Sequence, residues 1–300
     1  MKKRMKLLTV VLCLSMFFTV AQACGSSDSD DGKDIVSSEN KGDSVTTEDN
    51  GKTTVSIEEQ VLFEQDGIVV TAKEYVTDRI WGDGIMLLIE NNSDKNVTVG
   101  CNALIVNNYM ISDLFVSGVA AGKKANEIMY LSNTELEAAG IESVGQIEAY
   151  FHAYDTDTYE TLFDTDCVTI QTSGFDNMDT VADDSGVELY NEDGIRIVGK
   201  TVDENSFWGT AILLYCENNS GDNIGISVNE MSINGFMMDP LFSTTVYDGK
   251  KAFEDITIFS EDLTANGIET IEEVELRFHI YEAETYEVIA DSEEITFSAK

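Results

Sequence analysis

Two histidines occur in the 300-residue chain, and each opens a row of acids. FHAYDTDTYETLFDT covers 151–165 and FHIYEAETYEVIADS covers 278–292, so His152 and His279 stand 127 positions apart. Three readings compete for such a row: a catalytic site, a metal site and a copied piece of scaffold. A catalytic histidine needs a nucleophile or an orienting carboxylate placed by the fold. Glu148 and Tyr150 share a strand face with His152 but form no recognised constellation. The carboxylates are Asp155, Asp157, Glu160, Asp164 and Asp166, matched by Glu282, Glu284, Glu287, Asp291 and Glu293. Calcium sites hold their oxygens at about 2.3–2.6 Å and tolerate Asp–Glu exchange badly. The loop glycine of an EF-hand is also replaced, by Thr158-Tyr159 and Thr285-Tyr286. A calcium-dependent surface protein using these acidic hairpins therefore stays an alternative. The simplest reading is scaffold, one alternating strand and its turn, copied with a domain.

Other side chains invite binding rather than catalysis. Trp81 and Trp208 each sit beside a glycine just ahead of a strand-like run. A tryptophan there is either a lid on a core or a platform for carbohydrate or peptide. With His152 and His279 they are the candidate ligand-surface residues. Lys123-Lys124 and Lys250-Lys251 are basic pairs present in both copies, suited to neutralising nearby acids or to rimming an anion site. Asn91-Asn92-Ser93, Asn96-Val97-Thr98 and Asn218-Asn219-Ser220 fit the glycosylation pattern, but between strand-like runs they read as turn chemistry. No phosphate loop, GxSxG elbow, HExxH helix or redox pair is present. The expectation is a non-enzymatic protein with no cofactor. A hydrolase built across two domains is a weaker alternative, and it would require His152 and His279 to converge.

The elements that would position these residues come in two copies. Shifted by 127, DGIVVTAK (66–73) falls on DGIRIVGK (193–200), and WGDGIMLLIENNS (81–93) on WGTAILLYCENNS (208–220). GKKANE (122–127) falls on GKKAFE (249–254), and AAGIE (138–142) on ANGIE (265–269). Roughly a third of paired positions are identical without gaps, which marks a tandem repeat. The repeats span 58–173 and 187–300, joined by a polar linker at 174–186.

Within a repeat the period is two. Ile147, Ala149, Phe151 and Ala153 alternate with Glu148, Tyr150, His152 and Tyr154. Strands are predicted near 61–65, 68–76, 85–90, 97–106, 109–116, 124–131 and 163–171. One short helix follows Ser132, where Glu135 completes a capping-box pattern and Gly140 supplies the stop. About seven short strands per unit predict an all-β fold, two tandem β-sandwiches on a linker, each with its own core. In outline each unit resembles the immunoglobulin-like domains repeated in surface lipoproteins of Gram-positive bacteria. That resemblance implies a binding or spacer role and transfers no residue function.

The N-terminus reads MKKRMKLLTVVLCLSMFFTVAQACGSS. A basic start precedes an apolar run, Leu7 to Val20, shorter than the ~20 residues a membrane span needs. Ala21 and Ala23 bracket its end ahead of Cys24. This resembles the lipobox of bacterial lipoprotein signal peptides. It implies cleavage after residue 23, a diacylglyceryl thioether on Cys24, and anchoring to the outer face of the cell membrane by acyl chains. Residues 24–57, rich in Gly, Ser, Asp and Glu, then form a disordered acidic tether.

Charge and cysteines narrow the partners. The formal charge is -38. Without Lys2, Lys3, Arg4 and Lys6 the chain carries 14 basic against 56 acidic residues, or -42. No basic stripe exists for nucleic acid. The expected partners are the membrane, through the lipid, and a surface protein or carbohydrate. Of five cysteines, Cys13 leaves with the signal and Cys24 takes the lipid. Cys101, Cys167 and Cys216 occupy unmatched repeat positions and read as thiols, the first and last facing a core and Cys167 facing out.

Overall fold

The computed structural model describes residues 55–78, 82–112, 114–178, 183–206 and 209–298. Cys24, Trp81 and Trp208 lie outside the described residues, as do the signal peptide, nearly all of the tether and the middle of the linker. In the first repeat the strands are β1 (Gln60–Gln65), β2 (Ile68–Asp78), β3 (Gly82–Asn91), β4 (Val97–Val106), β5 (Tyr109–Ile111), β6 (Val116–Val119), β7 (Lys124–Tyr130), β8 (Gln146–Asp155), β9 (Thr161–Asp164) and β10 (Val168–Gln171). Helix α1 (Asn133–Ala138) lies between β7 and β8. In the second they are β11 (Val187–Glu192), β12 (Ile195–Ser206), β13 (Gly209–Asn218), β14 (Ile224–Ile233), β15 (Phe236–Met237), β16 (Ser243–Val246), β17 (Lys250–Phe259), β18 (Glu273–Glu282), β19 (Val288–Asp291) and β20 (Ile295–Ser298), with α2 (Ser260–Ala265) after β17.

The period of two decides the layers. Along β8 every second residue from Ile147 to Ala153 is buried, and β18 repeats this from Val274 to Ile280. Phe151 and Phe278 are fully buried at the same repeat position, each contributing about 2–3 kcal/mol of apolar burial. One antiparallel sheet of the first repeat runs β1-β2-β3-β7. The other centres on β4 and β8, flanked by β5, β6, β9 and β10. Their inner faces share one core, and the second repeat builds its own from matching strands. The chain is all-β, built as two-sheet sandwiches. Cys101 and Cys216 are buried in these cores, and Cys167 is exposed.

Each repeat has ten strands, more than the period shows, because two predicted runs are broken. The run 109–116 divides into β5 and β6, and 163–171 into β9 and β10. At the second break the Thr165 hydroxyl accepts from the Phe151 amide (3.0 Å), and Ser292 does the same for Phe278 (2.8 Å). A side-chain oxygen there stands in for a ladder carbonyl, a local competition that hydrophobic period does not register. The capping box is also not made. Ser132 caps α1 without a side-chain bond, and the Glu135 carboxylate that would complete the box instead accepts from the Ser112 amide and hydroxyl (2.7 and 2.5 Å).

The repeats are not independent bodies on a linker. β5 lies parallel to β17, pairing Tyr109 with Lys251 and Met110 with Ala252. That contact fuses the second sheet of repeat one and the first sheet of repeat two into a ten-stranded sheet.

Candidate functional site

His152, Tyr154 and Tyr159 form a row of rings on the outer face of the first repeat. His152 and Tyr154 project from alternate positions of β8, with centroids 6.0 Å apart, and Tyr159 stacks on Tyr154 at 6.1 Å. His279, Tyr281 and Tyr286 repeat the row at 5.6 and 5.7 Å. A glycine on the adjacent strand lets a ring lie close to the backbone. A Cβ at Gly100 would fall 2.5 Å from the His152 imidazole, and one at Gly225 would fall 2.3 Å from the Tyr281 ring. Tyr159 and Tyr286 end the rows, 78% and 73% exposed. Both sit at φ +61°, in the left-handed region that disfavours a residue with a Cβ.

The histidines are held by polar partners. His152 Nδ1 lies 2.6 Å from Asn102 Oδ1, and Asn102 donates to Asp164 (2.8 Å). Burial lowers the His152 pKa, and Asp164 only partly opposes it, so the site favours the neutral ring. His279 meets Asp291 directly, at 2.6 Å. This pairs an imidazole with an orienting carboxylate, but among the described residues no nucleophile is aligned with it. Ser227 is its cross-strand neighbour, and the Ser227 hydroxyl points at the His279 carbonyl oxygen, 3.5 Å away. The histidines sit on separate strands of separate sheets and form no shared site.

The leading acid of each hairpin closes its own turn. Asp155 Oδ1 accepts from the amides of Asp157 and Thr158 (3.0 and 3.2 Å), and its other oxygen meets Lys95 (3.3 Å). Burial pushes the Asp155 pKa up, but these amides and the Lys95 ammonium outweigh it and the net shift is downward. Glu282 Oε2 accepts likewise from Glu284 and Thr285. The longer glutamate reaches the same amides, which accounts for the free exchange of Asp and Glu. Among the described residues no group of three or more His, Cys, Asp or Glu side chains is arranged to hold a metal ion. We expect the thermal midpoint to stay flat on titration with millimolar calcium. A saturable rise of several degrees would reinstate the calcium alternative.

The contact between repeats is the second notable site. Lys250 Nζ reaches Glu148 (2.5 Å) and Asn108 Oδ1 (3.1 Å), with both charged side chains 16% exposed. Asn108 also donates to the Gly249 carbonyl oxygen, and its own carbonyl receives the Lys251 amide (3.1 Å). Around this polar centre Tyr109 stacks on Phe253 at 5.8 Å, and Val198, Tyr215 and Ala139 close the cluster. Tyr150 packs edge-on to Tyr247 at 5.0 Å, and Lys251 lies over the Tyr109 ring. Sequence reasoning missed this site. Its signal was in the mismatches between copies: Asn108 stands where the second repeat has Gly235, at φ +75° against +80°. An asparagine held at positive φ trades backbone comfort for the bonds its amide makes.

Glu254, beside the joint on β17, provides a titration handle. Burial raises its pKa to about 7, with Glu135 and Asp255 adding to the rise and the Thr244 hydroxyl opposing it. A carboxyl with a folded pKa above its unfolded value costs nothing at pH below about 4.5, where both states are protonated. The penalty grows between about 4.5 and 7 and is then constant, at about 3 kcal/mol for such a shift. Glu254→Gln, which can keep the Thr244 bond (2.9 Å), should therefore be more stable than wild type by about 3 kcal/mol at pH 8 and nearly equal to it at about pH 4. Parallel stability curves from pH 4.5 to 8 would refute the assignment.

No family model matches the chain, and no match is found among curated proteins. Among solved structures the chain is similar to the Salmonella enterica SafA pilin in complex with the SafB chaperone. The identity is 10%, the match covers 72% of this chain and 88% of that one, and the TM-score is 0.21.

Proposed function

We propose that this protein is a lipid-anchored, extracytoplasmic interaction module without enzymatic activity, binding a surface protein or carbohydrate through its two rows of rings. The observation that carries the reading is the pair Tyr159 and Tyr286. Each is an exposed aromatic held at positive φ, where glycine would sit without strain. A fold has no need of a large exposed ring in that conformation, so the ring itself is the feature to be explained. Flat, solvent-facing tyrosines with acidic neighbours suit a sugar face or a cationic peptide segment. Anchoring rests on the basic start, the apolar run and Cys24.

The discriminating variant is Tyr159→Gly with Tyr286→Gly. Relief of the left-handed strain, about 1 kcal/mol per site, roughly offsets glycine's extra unfolded-state entropy, so the melting temperature should hold. Capture of surface components by cross-linking on producer cells, and binding to a glycan array, should fall at least tenfold. Unchanged capture with unchanged stability would refute the binding rows. For the anchor, wild type should partition into the detergent phase and Cys24→Ser into the aqueous phase. Identical partitioning would remove the lipid.

A further inference from the structure

The joint between repeats is a head-to-tail contact, and head-to-tail contacts leave both of their halves open at the ends of the array. β5 of repeat one pairs with β17 of repeat two. The same two positions occur once more each: β15, the counterpart of β5, and β7, the counterpart of β17. Among the described residues β7 pairs only with β3, and β15 only with β14. Tyr109 is 2% exposed, whereas its counterpart Phe236 is 46% exposed. Met110 packs on the second core, whereas its counterpart Met237 is 67% exposed, with Leu241 nearby in sequence at 64%.

We propose that a second copy of this chain occupies these edges, with β15 of one copy lying parallel to β7 of the next in the β5–β17 register. Phe236 then pairs with Lys124 and Met237 with Ala125. The charges needed for it are present. Lys123, at the Lys250 position, is exposed and makes no ion pair among the described residues. Glu275, at the Glu148 position, is half-buried, bonds the Ser232 hydroxyl (2.6 Å) and also lacks an ion-pair partner among the described residues. Their meeting reproduces the Lys250–Glu148 pair between molecules. Lys124 is placed over the Phe236 ring as Lys251 is over Tyr109.

The intermolecular joint is weaker than the internal one. Asn126 stands at the Phe253 position and Leu88 at the Tyr215 position, so the aromatic stack is lost. Gly235 replaces Asn108 and removes two side-chain bonds. The net charge of -38 also opposes assembly, and salt relieves that opposition. The outcome is reversible, salt-promoted strand addition between copies. It does not depend on Tyr159 and Tyr286, which stand on the turns beyond the ends of β8 and β18, so loss of assembly through Met237→Glu would leave their ligand binding untouched.

The test is sedimentation velocity of the full chain in detergent, over a concentration series at low and high salt. Concentration-dependent oligomers that grow with salt are expected. Met237→Glu should weaken association at least tenfold without changing the melting temperature. Lys123→Glu and Glu275→Lys should each weaken it alone, and an equimolar mixture of the two should restore it, because every contact in an alternating chain regains one lysine and one glutamate. A monomer at every concentration and salt would overturn the proposal. So would oligomers indifferent to all three substitutions, or a mixture that fails to recover.

Discussion

Asn218→Ala should lower the stability of the second repeat by about 3–4 kcal/mol, and Asn91→Ala should do the same to the first. The two side chains are buried and make the same four bonds. Asn218 Nδ2 donates to the carbonyls of Asp222 and Val246 (2.8 Å each), and Oδ1 accepts from the Ser220 amide and hydroxyl (3.0 and 2.7 Å). Asn91 Nδ2 donates to Lys95 and Val119 (2.8 Å each), and Oδ1 accepts from Ser93 at 3.0 and 2.6 Å. One amide thus ties its turn to the strand ahead of the lysine pair. Alanine leaves buried carbonyls without donors, and an unsatisfied buried group costs about 1–3 kcal/mol. Asn218→Asp should be no better at pH 7, because a carboxylate offers these carbonyls no hydrogen, and should recover partly as acid protonates it. Denaturant unfolding measures all three variants. A loss under 1 kcal/mol for Asn218→Ala would mean that water replaces the clamp. The same burial excludes Asn91 and Asn218 as glycan acceptors in the folded chain.

Lys250→Met should cost about 3 kcal/mol and split the calorimetric transition in two. The substitution leaves the Glu148 carboxylate in a largely dry joint without its cation, and removing one partner of a buried pair costs about 3–5 kcal/mol. Lys250 also bonds Asn108, so the positive-φ asparagine loses one of the contacts that hold it. Replacing both charges, Lys250→Met with Glu148→Met, should recover most of the loss, because paired apolar side chains carry no desolvation penalty. The double variant separates a missing charge from a missing contact. If Lys250→Met melted as wild type does, the joint would not couple the repeats. If the double variant were as damaged as the single one, packing rather than charge would govern the site.

These effects lie at different distances from what the chain shows on its face. The alternation Ile147-Ala149-Phe151-Ala153 predicts which side of β8 is buried, and β8 buries that side. Such alternation is local, because a strand's side chains point to opposite faces whatever the strand packs against. The gapless copy at 127 positions likewise determined two sandwiches with matching cores, since equal patterns meet equal packing demands. The strand breaks at Thr165 and Ser292, and the use of Glu135 outside its capping box, were not legible. Each depends on a hydroxyl or carboxylate finding a backbone group brought near by folding. Asn91 looks like a turn residue in sequence and becomes a buried clamp only because Val119 arrives beside it, 28 positions later. The tyrosine rows show why spacing alone was insufficient. His152 and Tyr154 were placed on one face by period, whereas Tyr159 joins them only through the turn that Asp155 closes. The joint was decided by tertiary structure alone. Lys250 and Glu148 are 102 positions apart, and nothing local distinguishes that lysine from Lys123. What separates them is which strand edge each finds, and a strand edge acquires its partner only when the whole sheet is assembled.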